Sequence, residues 1–287
     1  MTKFLASDLA KYLEYLSSCA DDDIDLAMAA LAFAEARGEF QNPERYFHHI
    51  KKLISQVEER YTKLLNAGSY GDACADADIC LSALKYILIE KHHYHFDEER
   101  SCDLMVNSSL AGLIDRGAGH SFVLGLLYIH VGRSLGWRLE PLILPGILLV
   151  RIDVGAQRLI FDPSQGCRIM GAPEMRASLK ESQGDDAELS AQHYQPVGNR
   201  EILIALQNVI KFIQISFEDY EGALGTVALM RKIDPQELLL RLEAGVLYAR
   251  TGQKQEALEH LEVYIDKAPM GGDRDEAILL LGELKYS

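Results

Sequence analysis

From Gly117 to Pro163 the chain reads GAGHSFVLGLLYIHVGRSLGW, then LEPLILPGILLVRID, then QRLIFDP. Phe122 to Val131 is apolar around the whole helical circumference, whereas a surface helix keeps a polar side. The pattern therefore predicts a helix buried on all faces at the centre of a domain. Leu139 to Ile160 is β-rich and predicts a two-stranded hairpin turning at the Asp153-Val154-Gly155-Ala156 stretch. Ser121 opens the buried helix, and a helix N-terminus favours a nucleophile there because its free N–H groups stabilise negative charge.

The residues before this stretch predict helices. Asp21 to Gly38 has an acidic start, apolar positions at helical spacing and a glycine past its end. Asn42-Pro43 opens a second helix whose apolar positions run from Tyr46 to Leu64. Residues 66–78 (NAGSYGDACADAD) predict a loop, and Leu81 to Glu90 a further helix. The histidines His92, His93 and His95, with Asp97 and Glu98, have the donor types of a metal site. No distant ligand set completes it, so a solvated polar loop is expected there and at His48 and His49, with no metal or cofactor.

The five cysteines, Cys19, Cys74, Cys80, Cys102 and Cys167, are odd in number and lack zinc spacing. Without a secretory signal they read as reduced structural thiols in a cytoplasmic protein. A net charge of −14, from 29 basic and 43 acidic residues, gives no counter-charge to nucleic acid or an anionic membrane and argues against both as partners.

Asn107-Ser108-Ser109-Leu110, the Gly119 to Trp137 pattern G-x4-L-x2-L-Y-x4-R-x-L-G-W, then LPGxLLVR around Pro145-Gly146 and the Phe161-Asp162-Pro163 triplet are similar to the SirB family. These are bacterial transglutaminase-like proteins with a tetratricopeptide (TPR) tail, described as regulators of sirC. The resemblance implies an α+β fold, mostly helical, with a transglutaminase-like (papain-like) core, a small antiparallel sheet and a helical tail. It covers most of the chain, with residues 1–197 as the core plus helical subdomain and 198–287 as the repeats. In catalytic relatives a Cys opens the buried helix, a His lies on the next strand and an Asp follows. Those positions here are Ser121, Ile147 and Asp162, so the implied triad keeps one member of three. Isoleucine accepts no proton, and a serine without a base is a poor nucleophile.

Three further readings concern this helix. His120 precedes Ser121, but neighbours on a helix diverge by about 100°, so the pair is not expected to meet and His120 reads as an exposed cap. Ser121 reads as the N-cap, His130 as a hydrogen-bonded histidine at the core boundary, and Asp162 as the cap of a turn or partner of a cation. Cys167, five residues after Asp162, is an alternative nucleophile that also lacks an evident base.

Beyond Gly171, APEMRASLKESQGDDAELSAQHYQPVGN has few large apolar residues and predicts a linker. Then a repeat appears: FEDYEGALGTVALMRKIDP (217–235) aligns with TGQKQEALEHLEVYIDKAP (251–269). The offset of 34 residues, alanines at matching places and a terminal proline in each copy match the TPR pattern. Two functional readings of different classes follow. One is a non-catalytic interaction or regulatory module that meets a protein or peptide through the repeats. The other is an acyl-transfer hydrolase using Ser121 with a base from elsewhere.

Overall fold

The computed structural model describes residues 8–67, 76–97, 104–155 and 157–286. By packing, the chain divides into two units. One ends at Tyr12 and resumes from Ala20 to Leu203; the other takes Leu13–Cys19 and runs on from Ile204.

After α1 (Leu9–Tyr15), helix α2 (Leu26–Ala36) starts where Asp25 Oδ1 accepts the Met28 N–H at 3.0 Å. Every residue from Leu26 to Ala34 is buried, so its alanines are there for close approach rather than for propensity alone. Helix α3 (Glu44–Asn66) is amphipathic and buries Tyr46, Ile50, Leu53 and Val57. Asn42 Oδ1 accepts the Glu44 N–H at 3.0 Å and starts it. Helix α4 (Asp76–Lys85) begins earlier than the pattern predicts and widens into a π-helical turn over Tyr86–Lys91. Most of the expected 66–78 loop, with Cys74, and also Glu98 and Cys102, lies outside the described residues.

A two-residue parallel pair, β1 (His95–Phe96) with β2 (Ala118–Gly119), brackets α5 (Leu104–Asn107) and α6 (Leu110–Arg116). Ser109 Oγ caps α6 by accepting the Gly112 N–H, and Gly117, at φ +78°, ends it in the left-handed region. Helix α7 (Ser121–Ser134) follows and is buried on all sides, as its composition predicts.

The sheet is larger than the predicted hairpin. Four antiparallel strands run in the order β3 (Arg138–Leu144), β4 (Ile147–Val154), β5 (Gln157–Asp162) and β6 (Arg168–Ile169). The unrecognised turn is Pro145-Gly146. Leu144 pairs with Ile147, so these two residues alone connect β3 and β4. Proline fixes φ at the first turn position and Gly146 takes φ +82° at the second. Pro141, which cannot donate to a ladder, sits on the edge strand β3 where that costs least.

Alternation along the strands fixes two faces. Leu139 and Leu148 meet α7 where the helix carries Gly132 and Gly125: a Cβ at either glycine would lie 2.6 Å from the leucine side chain. Leu142, Leu144, Ile147, Leu149 and Ile160 form the other face and pack with Met175 and Leu179. Those two belong to α8 (Ala172–Gln183), so the expected linker is instead a second covering helix. Its apolar stripe is only two residues wide within a polar sequence, too weak a periodic signal to stand out. The sheet of this unit therefore lies between α7 and α8.

The second unit carries the repeats. Helix α9 (Asn199–Ser216) leads into α10 (Tyr220–Ile233), α11 (Leu239–Arg250), α12 (Lys254–Lys267) and α13 (Gly272–Tyr286). Helices α10 and α12 are the two copies of the sequence repeat, with Ala223 and Ala257 both fully buried. Gly252, at φ +75°, turns the chain between α11 and α12. Gly245 lets α11 approach Leu261 of α12, where a Cβ would fall 2.8 Å from that side chain. Gly125→Ala and Gly132→Ala are expected to destabilise by about 1–3 kcal/mol each through overpacking. Gly225→Ala in α10, where nothing lies within 4 Å of the new Cβ, gains about 0.5–1 kcal/mol. Urea unfolding of the three variants measures the contrast.

Candidate functional site

At the start of α7 the side chains are not arranged as the sequence suggests. The N-cap is His120, whose Nδ1 accepts the Phe122 N–H at 3.4 Å, and not Ser121. The His120 ring stacks on Phe122, with centroids 5.7 Å apart, and meets the Phe96 ring edge-on. It is a half-buried cap rather than the expected exposed one, and desolvation lowers its pKa to about 4.

Ser121 is 1% exposed. Its Oγ accepts the backbone N–H of Leu148 at 3.0 Å, stitching the first turn of α7 to strand β4. His120 and Ser121 thus turn to different partners, as the angular spacing of a helix requires. Ile147, the implied base position, packs on the face of the sheet that meets α8, while Leu148 faces α7. Strand alternation therefore starts the side chain of residue 147 on the face opposite Ser121.

Asp162 is completely buried at the end of β5. Its Oδ1 accepts the Ser164 N–H at 2.8 Å and the Ser164 hydroxyl at 2.5 Å, capping the short 3-10 turn Pro163–Gln165 as a turn-capping aspartate should. Its Oδ2 is buried with no hydrogen-bond partner among the described residues. Nearby, the Cys167 thiol donates to Tyr128 Oη at 3.3 Å. Burial pushes this thiol up to about 11 and the Tyr128 hydroxyl well above its usual range. Cys19, Cys80 and Cys167 are buried.

His130, His49 and His92 each contact other side chains. His130 Nδ1 lies 3.4 Å from Asp25 Oδ1, at the boundary where the sequence puts it. His49 and His92 are not on a solvated loop. His49 Nε2 is 2.7 Å from Tyr94 Oη, His92 Nε2 is 2.8 Å from Gln56 Oε1, and the two rings meet edge to face at 5.4 Å. Burial is the main cause lowering both pKa values. Among the described residues no three His, Cys, Asp or Glu side chains are grouped to hold a metal.

Two clefts open elsewhere in this unit, and neither is lined by Ser121, His120 or Asp162. One, about 420 Å³, is lined by Arg133, Trp137, Arg138, Glu140 and Asn199 among others. Arg133 is tied down within it, donating from Nε to the Leu139 carbonyl at 2.8 Å and from a terminal nitrogen to Asn199 Oδ1 at 2.7 Å. Sequence patterns gave no sign of this arginine cradle, because its members come from three separated segments. The other cleft, about 670 Å³, runs along β5 and the start of α8.

Two consequences are measurable. Ser121→Ala leaves the buried Leu148 N–H without an acceptor and is expected to cost about 1–3 kcal/mol. For His120 the unfolded chain binds its proton near 6.5 and the folded chain only near 4. Between those pH values the unfolded state holds more protons, so stability falls as pH drops through the window and levels below it. His120→Asn removes this contribution, up to about 3 kcal/mol, and flattens the pH dependence of the urea midpoint; the other buried histidines keep part of the slope.

Comparison with known proteins agrees with this architecture. Residues 44–208 match the family model described as transglutaminase-like superfamily, and residues 210–282 match a tetratricopeptide repeat model. Among relatives, a UPF0162 protein of Xylella fastidiosa (strain Temecula1) is 24% identical over 257 residues, covering 86% of each chain. A UPF0162 protein of Vibrio cholerae is 25% identical over 252 residues, covering 87% of this chain and 89% of that one. The UPF0162 protein BU173 of Buchnera aphidicola is 24% identical over 152 residues, 53% of this chain and 56% of its own. No solved structure matches. With more than half its length matched and a buried helix laid on an antiparallel sheet, the chain belongs to the transglutaminase-like superfamily.

Proposed function

We propose that this chain is a non-catalytic transglutaminase-like protein that works as an interaction or regulatory module, with the helical repeats meeting a protein or peptide partner. The observation that carries the reading is the state of Ser121. Its hydroxyl is buried and occupied by the Leu148 amide, and no imidazole, amine or carboxylate among the described residues hydrogen-bonds to it. A hydroxyl needs an adjacent base to attack an acyl carbon. Asp162 supports the same reading: its unpartnered Oδ2 has no imidazole to orient.

Cys167 as a replacement nucleophile has little in its favour. A thiol held near 11 by burial and bonded to Tyr128 supplies almost no thiolate at neutral pH. For the partner role the support is the repeat unit itself, since TPR arrays commonly bind proteins through their exposed helix faces. The SirB likeness points the same way, towards regulation. No described helix is long and apolar enough to cross a membrane, in keeping with the cytoplasmic setting expected from the reduced thiols.

The alternative is an acyl-transfer hydrolase on Ser121 with a base brought in by movement. Assays of the purified protein against peptide, amide and ester substrates separate the two. Turnover is expected to be no greater than that of Ser121→Ala, and hydrolysis that this substitution abolishes would overturn the proposal. Crosslinking in the protein's own cells is expected to place partner crosslinks on residues 204–287.

A further inference from the structure

On one side strand β5 is paired with β4 from Gln157 to Phe161, and on the other β6 reaches only Phe161 and Asp162. The Met170 N–H then donates to the Ile160 carbonyl at 2.8 Å, and the chain leaves the sheet into α8. In an antiparallel ladder successive residues direct their N–H and C=O groups alternately to the two sides. The Ile160 carbonyl faces the β6 side, so the Ile160 N–H and both backbone groups of Arg158 face it as well. Among the described residues no hydrogen bond reaches these three groups. Half of the β5 edge is therefore open.

That open half lines the cleft of about 670 Å³. Leu159, Ile160 and Met170 line it too, together with Ile169, which is 57% exposed. Two charged side chains complete the picture. Arg158 is already committed, its Nε lying 3.0 Å from Asp153 Oδ1. Asp78, on α4, has no cation within salt-bridge distance among the described residues. A sheet edge selects an extended polypeptide, because its donors and acceptors recur at the spacing of a second strand. Apolar side chains beside the edge and an uncompensated carboxylate, in a chain of net charge −14, are complemented by a strand that carries apolar residues and a cation.

We propose that the open edge of β5 is a docking site for an extended peptide segment of a partner protein, apolar with a lysine or arginine. The peptide adds a strand beside Arg158, in line with β6. Its backbone bonds the Arg158 N–H and C=O and the Ile160 N–H, its apolar side chains pack on Ile169 and Leu159, and its cation meets Asp78. Main-chain bonds supply the affinity and the flanking side chains the selectivity. This site belongs to the transglutaminase-like unit; it goes beyond a contact made through the repeats and does not require one.

The test takes the full chain through selection against a phage-displayed library of random octapeptides, and the recovered peptides are synthesised and titrated. Sequences with apolar residues at alternate positions and at least one Lys or Arg are expected. Saturation with such a peptide is expected to slow hydrogen exchange at the Arg158 and Ile160 amides. Arg158→Pro removes the outward N–H while sparing the ladder to β4, and is expected to weaken binding by roughly tenfold or more. Arg158→Ala keeps that N–H and is expected to bind as the parent chain does. Should the proline variant not fold, Ile169→Ser, at an exposed position, is expected to show the same loss; circular dichroism verifies the fold of each. Recovery of no peptide, or only of peptides without a basic residue, overturns the site. So does binding that leaves both amides unprotected, or equal affinity in the folded variants and the parent. Self-association of the free chain that Arg158→Pro abolishes would assign the edge to a second copy and overturn it too. Crosslinks on residues 204–287 test the repeats separately, so the two readings fail independently.

Discussion

The close approach of α7 to the sheet is the contact on which the transglutaminase-like unit depends. It needs Gly125 and Gly132, seven residues apart on one stripe of the helix, where Leu148 and Leu139 occupy the space any larger residue would fill. Interiors this dense admit few alternative arrangements. The same approach brings the first turn of α7 to β4, where the Ser121 hydroxyl receives the Leu148 amide. One packing decision thus sets both the core and the local chemistry at the helix start.

That chemistry is structural in character. A hydroxyl that accepts a strand amide helps hold a helix to a sheet. Asp162 has the geometry of a capping residue through Oδ1, while Oδ2 is buried with no hydrogen-bond partner among the described residues. A buried carboxylate oxygen without a donor is costly.

The repeat unit uses small residues in the same way and to a different end. Ala223, Ala257 and Gly245 allow neighbouring helices to close up. Lys211 finds Glu243 across two helices, whereas among the described residues Arg231 and Arg241 have no carboxylate within salt-bridge distance. The contrast between a paired and an unpaired cation within one small unit is an electrostatic asymmetry that composition alone, being acidic throughout, conceals.

The sequence by itself determined the features written in local periodicity: the all-apolar α7, the amphipathic α3 and the 34-residue repeat. It determined less where the signal was short or divided. The Pro145-Gly146 turn was hidden inside one continuous apolar run, and α8 offered only Met175 and Leu179 as a buried stripe. Tertiary structure alone decided that residue 147 faces α8 rather than Ser121, that His120 caps the helix from a half-buried position between Phe96 and Phe122, and that His49 packs on His92. Each of these depends on which face of a strand or helix meets which neighbour. Such pairing is set by contacts between residues far apart in the chain, and hydropathy along a single strand does not encode it.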